Sequence, residues 1–264
     1  MNLSNQIALV TGASQGIGSS IAIELASKGA FVFVNFKNHK QKALEVVKTI
    51  EEMNGQAQVI EADTTDEIQV KQMFQNIVNT KSRLDILVNN TGIQNEAALI
   101  DMTLDQWEDV IKTNLTSQFL CTKEAIILFL SQPKNNDLKS IGKIVSISSV
   151  HDKIPWARHS NYSASKAGLL MFVKSIAQEY AKNKIRINAV SPGAIKTSIN
   201  EKSWEDPKKL RDLMDLIPYE RMGETKDIAN TVSWLVSDES DYINGTTIYV
   251  DGGMSLYKGF ESGG

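Results

Sequence analysis

Two kinds of apolar pattern alternate along the chain. Short runs of Val, Ile, Leu and Phe predict strands, whereas longer segments with an apolar residue at every third or fourth position predict helices. The predicted strands are seven short runs, at residues 7–12, 31–36, 57–63, 84–90, 142–149, 185–193 and 246–253. The predicted helices cover residues 16–30, 42–55, 67–81, 103–131, 162–183 and 225–238.

Because helices separate the strands, we expect βαβ crossovers and a parallel sheet. Unbroken apolar runs such as FVFVNF at 31–36 indicate burial on both faces. No repeat or Pro/Gly-rich linker divides the sequence. We therefore predict one α/β domain over residues 1–264, a Rossmann-like, doubly wound parallel sheet of seven strands with helices on both faces. The polar stretch at about 194–223 is the predicted substrate loop.

Composition and charge narrow the function classes. A net charge of −3 and a pI of about 5.7 argue against a general nucleic-acid binder. No run of about 18 apolar residues is present, and the N-terminus lacks a signal-peptide pattern, so we predict no membrane span. The single cysteine, Cys121, lies in a helical pattern and is expected to be buried. These features together predict a cytoplasmic location.

The first predicted strand runs into TGASQGIG, which has three glycines in eight residues. Glycine allows a tight turn and the close approach of a pyrophosphate, and the free N–H groups of the following helix favour an anion. The spacing G-x-x-x-G-x-G differs from the general dinucleotide fingerprint. A strand, a glycine turn and a helix at this place nevertheless predict a dinucleotide site. Its residues are Gly12, Ser14, Gln15, Gly16, Ile17 and Gly18.

The residues at the end of the second strand indicate whether the ribose of such a cofactor carries a 2′-hydroxyl or a 2′-phosphate. An acid there would accept from the 2′-hydroxyl of NAD, but residues 34–40 contain none. Lys37 and Lys40 predict contact with a 2′-phosphate, which favours NADP with NAD also accepted. An exposed basic loop is the alternative. Asp63, which ends the third strand, is either an adenine contact or the cap of the next helix.

The other strand ends carry the candidate chemistry, because ligands of a doubly wound sheet bind beyond the carboxyl ends of its strands. Tyr162 and Lys166 are four residues apart and share one face of a helix that starts at this edge. The remaining features at the edge are NNTG at 89–92, Ser148 and Ser149, and SPG at 191–193. A phenol, an ammonium group and a serine hydroxyl are therefore expected where a nicotinamide would lie.

This set of groups suits the oxidation of an alcohol. A free tyrosine titrates near 10, and a nearby ammonium group together with a cationic nicotinamide is expected to lower the pKa of Tyr162. The phenolate can then take the proton of a substrate hydroxyl as hydride leaves the carbon. One of Ser148 and Ser149 would orient the substrate oxygen, and the other would serve the turn at the strand end.

The motifs TGxxxGxG, NNxG, Asn114, Ser149, YxxxK and PG occur in the order of the classical short-chain dehydrogenases/reductases, and the chain resembles that family over nearly its whole length. The resemblance implies a catalytic tetrad of Asn114, Ser149, Tyr162 and Lys166, in which Asn114 holds a proton-relaying water and Lys166 also binds the nicotinamide ribose. The further cofactor contacts that it implies are Asn90, Gly92, Pro192, Gly193, Ile195 and Thr197. Thr91 replaces the usual alanine, and we expect no loss of cofactor binding from it.

The loops after the fifth and sixth strands are polar, which favours a sugar or polyol over a steroid or a long acyl chain. We expect Arg158 and His159 in these loops to be solvated. SSVHDKIPW at 148–156, PGAIKTSIN at 192–200 and the tail at 251–260 resemble the bacterial glucose 1-dehydrogenases of the family. That resemblance implies that Ser149, His151, Tyr162 and Asn200 contact β-D-glucose. Gln94 stands near the site where those enzymes usually have glutamate.

Two other functions remain open from the sequence. Within the family, the chain could be a 3-oxoacyl carrier-protein reductase or another sugar or polyol dehydrogenase, and net acidity weakly disfavours an acidic carrier as partner. A cofactor-binding protein without catalysis is disfavoured by the intact tetrad.

Assembly is predicted from surplus apolar surface. The helices at 103–131 and 161–182 are more apolar than one sheet face requires, and the resembling enzymes are tetramers, so we expect a homotetramer. A second interface is expected at the last strand and the tail, with Tyr249, Leu256, Tyr257 and Phe260.

Overall fold

Seven parallel strands form one sheet through the centre of the protein, in the order β3-β2-β1-β4-β5-β6-β7. The structure is a computed structural model and describes residues 1–133, 138–197 and 204–256. The strands are β1 (Ile7–Val10), β2 (Phe31–Phe36), β3 (Gln56–Glu61), β4 (Ile86–Asn89), β5 (Gly142–Ile147), β6 (Ile185–Pro192) and β7 (Thr247–Val250). The predicted α/β fold with a doubly wound sheet is confirmed.

Helices connect the strands and cover both faces of the sheet. They are α1 (Gly16–Ser27), α2 (Lys40–Glu52), α3 (Glu67–Lys81), α4 (Leu104–Ile111), α5 (Ser117–Ser131), α6 (Ser160–Tyr180), α7 (Pro207–Met214) and α8 (Thr225–Val236). None of the helices in these described residues is both long and apolar enough to cross a membrane.

The core has two halves because successive strand residues point to opposite faces. In β1 and β4, Val10 and Val88 pack into the half covered by α1, α2 and α8. Their neighbours Leu9 and Leu87 pack into the half covered by α3, α5 and α6. The direction of winding reverses on the two sides of β1, and a crevice beyond the strand ends is expected at such a reversal.

The structure differs from the predicted elements in two places. The segment 103–131 is not one regular α-helix, since a π-helical turn at Lys112–Thr116 joins α4 to α5 and carries Asn114. The polar stretch 194–223 contains α7, which was not predicted. The local signal for α7 was present: Asp206 accepts from the N–H groups of Lys208 and Lys209, and Pro207 occupies the first turn.

Candidate active site

The glycine turn after β1 has the backbone geometry that its sequence predicts. Gly12 and Gly16 have φ angles of 59° and 62°, in the region that favours glycine. The N–H of Gly12 donates to Oδ1 of Asn35 at 3.1 Å, which ties the turn to β2. Helix α1 begins at Gly16, and the side chain of Gln15 makes no capping bond to it. Its first N–H groups thus remain available for an anion.

Gly18 and Asn90 close the inner side of this turn. A Cβ at Gly18 would lie 2.5 Å from Nδ2 of Asn90 and 2.6 Å from the oxygen of Gly12, so only glycine fits. Nδ2 of Asn90 donates to the oxygens of Thr11 and Gly12 at 3.0 and 3.1 Å. Asn90 therefore holds the turn in shape, whatever further contact it makes.

The space around the turn fits the diphosphate of a dinucleotide. Within the part of the chain that the structure describes, the nearest atom to a Cβ placed at Gly16 is in the side chain of Thr197, at 3.8 Å. Oγ1 of Thr91 is buried without a partner among the described residues and lies 3.1 Å from the Cβ position of Gly12. An open cradle and an unpaired hydroxyl beside it are what a bound phosphate group would satisfy.

The remaining predicted cofactor residues lie around this cradle or next to it. Ser14 is buried in the turn, and Ile17 packs against the core. Ile195 is buried beyond the end of β6. Gly193 follows Pro192, and a Cβ there would lie 2.8 Å from the Cα of Asp251, so the backbone needs glycine at this place.

The basic residues after β2 are partly engaged within the protein. Nζ of Lys37 lies 2.7 Å from Oδ2 of Asp63. Burial of Asp63 opposes its charge, but the bonds from Lys37 and Thr65 outweigh burial and lower the pKa of this carboxyl. The alternative that Asp63 caps the next helix is wrong, since Asp66 accepts from the first N–H groups of α3. The sequence did not single out Lys42, whose Nζ donates to Oε1 of Gln15 at 2.7 Å.

The tyrosine and one of the two serines come together at the edge of β5. Tyr162 is 9% exposed, and the side chains of Ser149 and Gln94 lie close enough to its hydroxyl to favour the phenolate. The hydroxyl of Ser148 instead points toward the oxygen of Lys166, at 3.5 Å. Ser149, and not Ser148, is thus the serine beside the hydroxyl of Tyr162.

Lys166 and Asn114 lie behind the tyrosine. Lys166 is buried, with its Nζ 2.9 Å from the oxygen of Ile147 and 5.7 Å from the ring centre of Tyr162. Asn114 bonds the backbone N–H and oxygen of Ile93 at 2.8 and 3.0 Å. A Cβ at Gly92 would lie 3.3 Å from Oδ1 of Asn114 and 3.6 Å from Nζ of Lys166. The four predicted tetrad residues therefore share one site.

Burial is the main influence on the pKa values of Tyr162 and Lys166. It raises the pKa of Tyr162 above its ordinary value, although the polar side chains of Ser149 and Gln94 act in the other direction. It lowers the pKa of Lys166 to about 8. The expectation that the ammonium group together with a cationic nicotinamide lowers the pKa of Tyr162 concerns the cofactor-bound protein and stays a prediction; from the protein's own groups, burial dominates, and Nζ of Lys166 points to a backbone oxygen.

An aromatic stack supports the substrate side of the site. Trp156 lies between His151 and His159, with ring centres 4.3 and 3.6 Å apart and nearly parallel planes. His159 is buried, so the expectation of a solvated side chain is wrong for it, whereas Arg158 is exposed as expected. The role of Trp156 was not predicted, because nothing in the sequence shows that two histidines stack on it.

A backbone contact also fixes which ring nitrogen of His151 can bind a ligand. Nδ1 of His151 lies 3.2 Å from the oxygen of Ile154, which can only accept, so we assign the proton to Nδ1. Burial lowers the pKa of His151, which favours the neutral ring at pH 7. Nε2 is then a hydrogen-bond acceptor and suits a substrate hydroxyl.

A carboxylate that the sequence did not single out lies beside the serine turn. Asp152 accepts from the hydroxyls of Ser191 and Tyr249, the latter at 2.8 Å. A cleft of about 450 Å³ next to the ends of β6 and β7 is lined in part by Ile195, Tyr249 and Asp251. Asn200, Tyr257 and Phe260, which were predicted for the substrate and the second interface, lie outside the described residues.

Taken together, the glycine cradle and the Ser149–Tyr162–Lys166 group define a dinucleotide-dependent oxidoreductase. Residues 12–255 match a family model described as enoyl-(acyl carrier protein) reductase. The chain belongs to the short-chain dehydrogenase/reductase family, whose members include dehydrogenases and reductases of CH–OH and carbonyl groups. The family resemblance predicted from the motifs is confirmed, and the protein is an NAD(P)-dependent oxidoreductase of this family.

The relatives differ in substrate. The chain is 38% identical to 3beta-hydroxysteroid dehydrogenase 1 of Eggerthella lenta over 262 residues, which cover 99% of this chain and 98% of the relative. It is 40% identical to the 3-oxoacyl-[acyl-carrier-protein] reductase FabG of Staphylococcus aureus over 249 residues, 94% of this chain and 98% of the relative.

Solved structures add sugar-acid enzymes to this group. A putative gluconate dehydrogenase from Agrobacterium tumefaciens has a TM-score of 0.90 at 32% identity. A putative 2-deoxy-D-gluconate 3-dehydrogenase from the same organism, with bound NADP, has a TM-score of 0.88 at 31% identity. Each match covers 97% of this chain and 98% of the other. These relatives support a nicotinamide cofactor, and the substrate has to be argued from this chain's own site.

Proposed function

We propose that the protein is a sugar dehydrogenase that oxidises β-D-glucose at C1 to glucono-1,5-lactone, with NADP as the preferred cofactor and NAD also accepted. The observation that carries the proposal is the polar wall around the proton acceptor. The polar side chains of Ser149 and Gln94 lie beside the hydroxyl of Tyr162, and His151 lies edge-on to its ring with centres 6.4 Å apart. A polyhydroxylated substrate satisfies such groups, whereas a steroid face would leave them unpaired.

Each residue of the site has a separate role in the proposed reaction. The nicotinamide, when bound, takes the hydride from the substrate carbon. Tyr162 accepts the proton of the reacting hydroxyl, and Ser149 donates to the same oxygen and orients it. Nε2 of His151 accepts from a second substrate hydroxyl, which selects polyols over simple alcohols.

Two further residues support Tyr162. The charge of Lys166 stabilises the phenolate, and the burial that excludes water from it strengthens that interaction. Asn114 fixes the segment at Ile93 next to Gln94, and its proposed role is to hold the water that carries the proton onward.

The cofactor preference rests on the cations near the glycine turn. The residues proposed to hold the dinucleotide are Gly12, Gly16 and the start of α1 for the diphosphate, Lys37 for the 2′-phosphate, and Asp63 for the adenine. Lys37 is 58% exposed despite its bond to Asp63, so its ammonium group can turn to a phosphate. Lys42 on α2 adds a second positive charge at Gln15.

A second candidate is the reduction of a 3-oxoacyl thioester on an acidic carrier protein. It is supported by the similarity to the staphylococcal reductase and by the exposed side chains of Lys153 and Arg158 beside the serine turn. Both cations could pair with an acidic carrier. The polar groups at Tyr162 favour the sugar instead.

The proposed assembly is a homotetramer in the cytoplasm. Helices α5 and α6 expose large apolar side chains, among them Phe119, Ile127, Leu130 and Met171 at 44–63%. Burying them against a second subunit would remove apolar surface from water. Light scattering at micromolar concentration tests this, and a monomer would refute it.

One panel of assays tests the proposed activity. NADPH formation is followed by absorbance with β-D-glucose, 2-deoxyglucose, gluconate and a simple polyol, each with NADP and with NAD. The reverse reaction is followed with a 3-oxoacyl thioester and NADPH. We expect the highest kcat/KM for β-D-glucose with NADP. Absence of glucose oxidation alongside efficient thioester reduction would replace the first proposal by the second.

A further inference from the structure

The carboxylate of Asp152 connects three separate parts of the active-site edge. Asp152 ends a short turn at Val150–Asp152, and this turn starts directly after Ser149. One carboxylate oxygen accepts from the hydroxyl of Ser191, the residue before Pro192 in β6. The other accepts from the hydroxyl of Tyr249 in β7 at 2.8 Å. These partners lie 39 and 97 residues away in the sequence.

The same turn holds Ser149 in place. The N–H of Asp152 donates to the backbone oxygen of Ser149 at 3.0 Å, and the hydroxyl of Ser149 accepts from the N–H of His151 at 3.2 Å. A shift of the carboxylate would therefore move both the serine backbone and its hydroxyl. We propose that Asp152 is a positioning residue of the active site, whose carboxylate ties the Ser149 turn to the ends of β6 and β7.

Two physical effects make the connection through Asp152 strong. Hydrogen bonds to an ionised carboxylate are about twice as strong as those between neutral groups. Ser191 is fully buried, so loss of the carboxylate leaves its hydroxyl without that bond in a place that water cannot readily reach. Tyr249 sits on the edge strand of the sheet, and Asp152 is its hydrogen-bond partner inside the fold.

The charge of Asp152 acts on the same site. It adds to burial in raising the pKa of Tyr162, and it opposes burial at Lys166, whose pKa it raises. Among the described residues, the ionisable groups on the packed elements around it are His151, Lys153, Tyr162, Lys166, Tyr249 and Asp251. Removing the negative charge should therefore make the Tyr162 phenolate form at lower pH.

Three substitutions separate the tie from the charge. Asp152→Ala removes both. Asp152→Asn removes the charge, while its amide can still pair with both hydroxyls, which donate or accept. Tyr249→Phe removes one bond and keeps the charge. Lys174→Gln is the control, because it removes an exposed charge from the later part of α6, the helix that carries Tyr162 and Lys166.

The inference rests on the proposed roles of Ser149 and Tyr162, so its test includes a readout that needs no substrate. Tyrosinate absorbance is titrated in each full-length variant, and the titration of the same variant carrying Tyr162→Phe is subtracted. Turnover is measured with whichever alcohol the wild-type protein oxidises best. Failure to oxidise glucose would count against the proposed function alone.

We expect Asp152→Ala to lower kcat by about ten- to a hundredfold through displacement of Ser149, with dinucleotide affinity changed less than twofold. Tyr249→Phe should give a smaller loss in the same direction. Asp152→Asn should retain more turnover than Asp152→Ala and should titrate Tyr162 at lower pH than the wild type. If Asp152→Ala does not fold, Asp152→Asn and Tyr249→Phe carry the test.

Two outcomes would overturn the inference. One is a kcat within about twofold of wild type in both Asp152→Ala and Tyr249→Phe. The other is a Tyr162 titration that is unchanged in Asp152→Asn or shifted equally in Lys174→Gln, since either would leave Asp152 with a merely structural role.

Discussion

Replacing Tyr162 with phenylalanine removes one oxygen atom and tests the proposed proton acceptor directly. Tyr162 packs edge-on against His151 and Trp156, with ring centres 6.4 and 6.2 Å apart. Phenylalanine keeps these contacts and the shape of the buried side chain. We therefore expect the fold and the cofactor cradle to persist in this variant.

The size of each effect follows from the hydroxyl's partners. The hydroxyl of Ser149 keeps its hydrogen bond from the N–H of His151. Gln94 is exposed, so water can take the place of the missing Tyr162 hydroxyl there. The free energy of unfolding should fall by no more than about 1–2 kcal/mol. Turnover loses its general base, whose contribution is typically about 10²–10⁴-fold. Activity should therefore fall far more than stability.

The assay needs three measurements on the same preparation: kcat from NADPH absorbance, dinucleotide affinity from fluorescence, and stability from urea unfolding. Tyr180→Phe is the matched control, because Tyr180 ends the helix that carries Tyr162 and lies away from the site. A kcat for Tyr162→Phe within about fivefold of wild type would refute the assigned role. So would a loss of dinucleotide affinity as large as the loss of kcat.

Three further predictions concern neighbouring residues. Lys37→Asp should shift the preference from NADP toward NAD by about tenfold or more, since it places a repelling charge near the 2′-phosphate. The control Lys48→Asp, within α2, should leave the ratio of the kcat/KM values for NADP and NAD unchanged. His151→Ala should raise KM for glucose by roughly tenfold and have little effect on an analogue that lacks the contacted hydroxyl, because that analogue never made the bond; equal effects on both sugars would contradict it. Burial lowers the pKa of Lys166 to about 8 from an unfolded value near 10.5, so the unfolded chain binds more protons between these values and Lys166 makes the free energy of unfolding rise with pH across that window. Urea unfolding should show this rise, up to about 3 kcal/mol, in the wild type and not in Lys166→Met.

The fold could be predicted because its signals are local and repeated. Most strands are short apolar runs, and helices or long connections separate them, so the parallel sheet follows without knowing any contact. The rule that ligands bind at the carboxyl edge then places distant residues together. The edge rule and one turn of helix bring Ser149, Tyr162 and Lys166 together, whereas Asn114 was predicted only from the family resemblance.

The side-chain contacts within the site could not be predicted in the same way. The bond between Asp152 and Tyr249 depends on the exact register of β6 and β7 and joins residues 97 positions apart. The burial of His159 depends on stacking against Trp156 at 3.6 Å, which no spacing encodes. Lys37 meets Asp63 because β2 and β3 are neighbours in register, with Phe36 opposite Glu61. Such contacts decide pKa values and loop positions, so these were the properties the sequence analysis missed.

The last prediction follows from the opposite shifts of the two buried groups. Burial favours the neutral forms of both Tyr162 and Lys166, so the protein's own groups do not make Tyr162 a phenolate near neutral pH. A positive charge that enters the site next to the ring must then lower the pKa of Tyr162. We expect tyrosinate absorbance of Tyr162, isolated by subtraction of Tyr162→Phe, to titrate at lower pH with saturating oxidised cofactor than without it.

The reduced cofactor serves as the matched control, because it occupies the same cradle with a neutral nicotinamide. It should shift the titration less than the oxidised form. Equal shifts would show that exclusion of water or a loop movement, and not the positive charge, sets the state of Tyr162. If neither form of the cofactor shifts the pH at which Tyr162 titrates, Tyr162 does not face the nicotinamide. The proton acceptor would then have to be sought elsewhere on the same sheet edge.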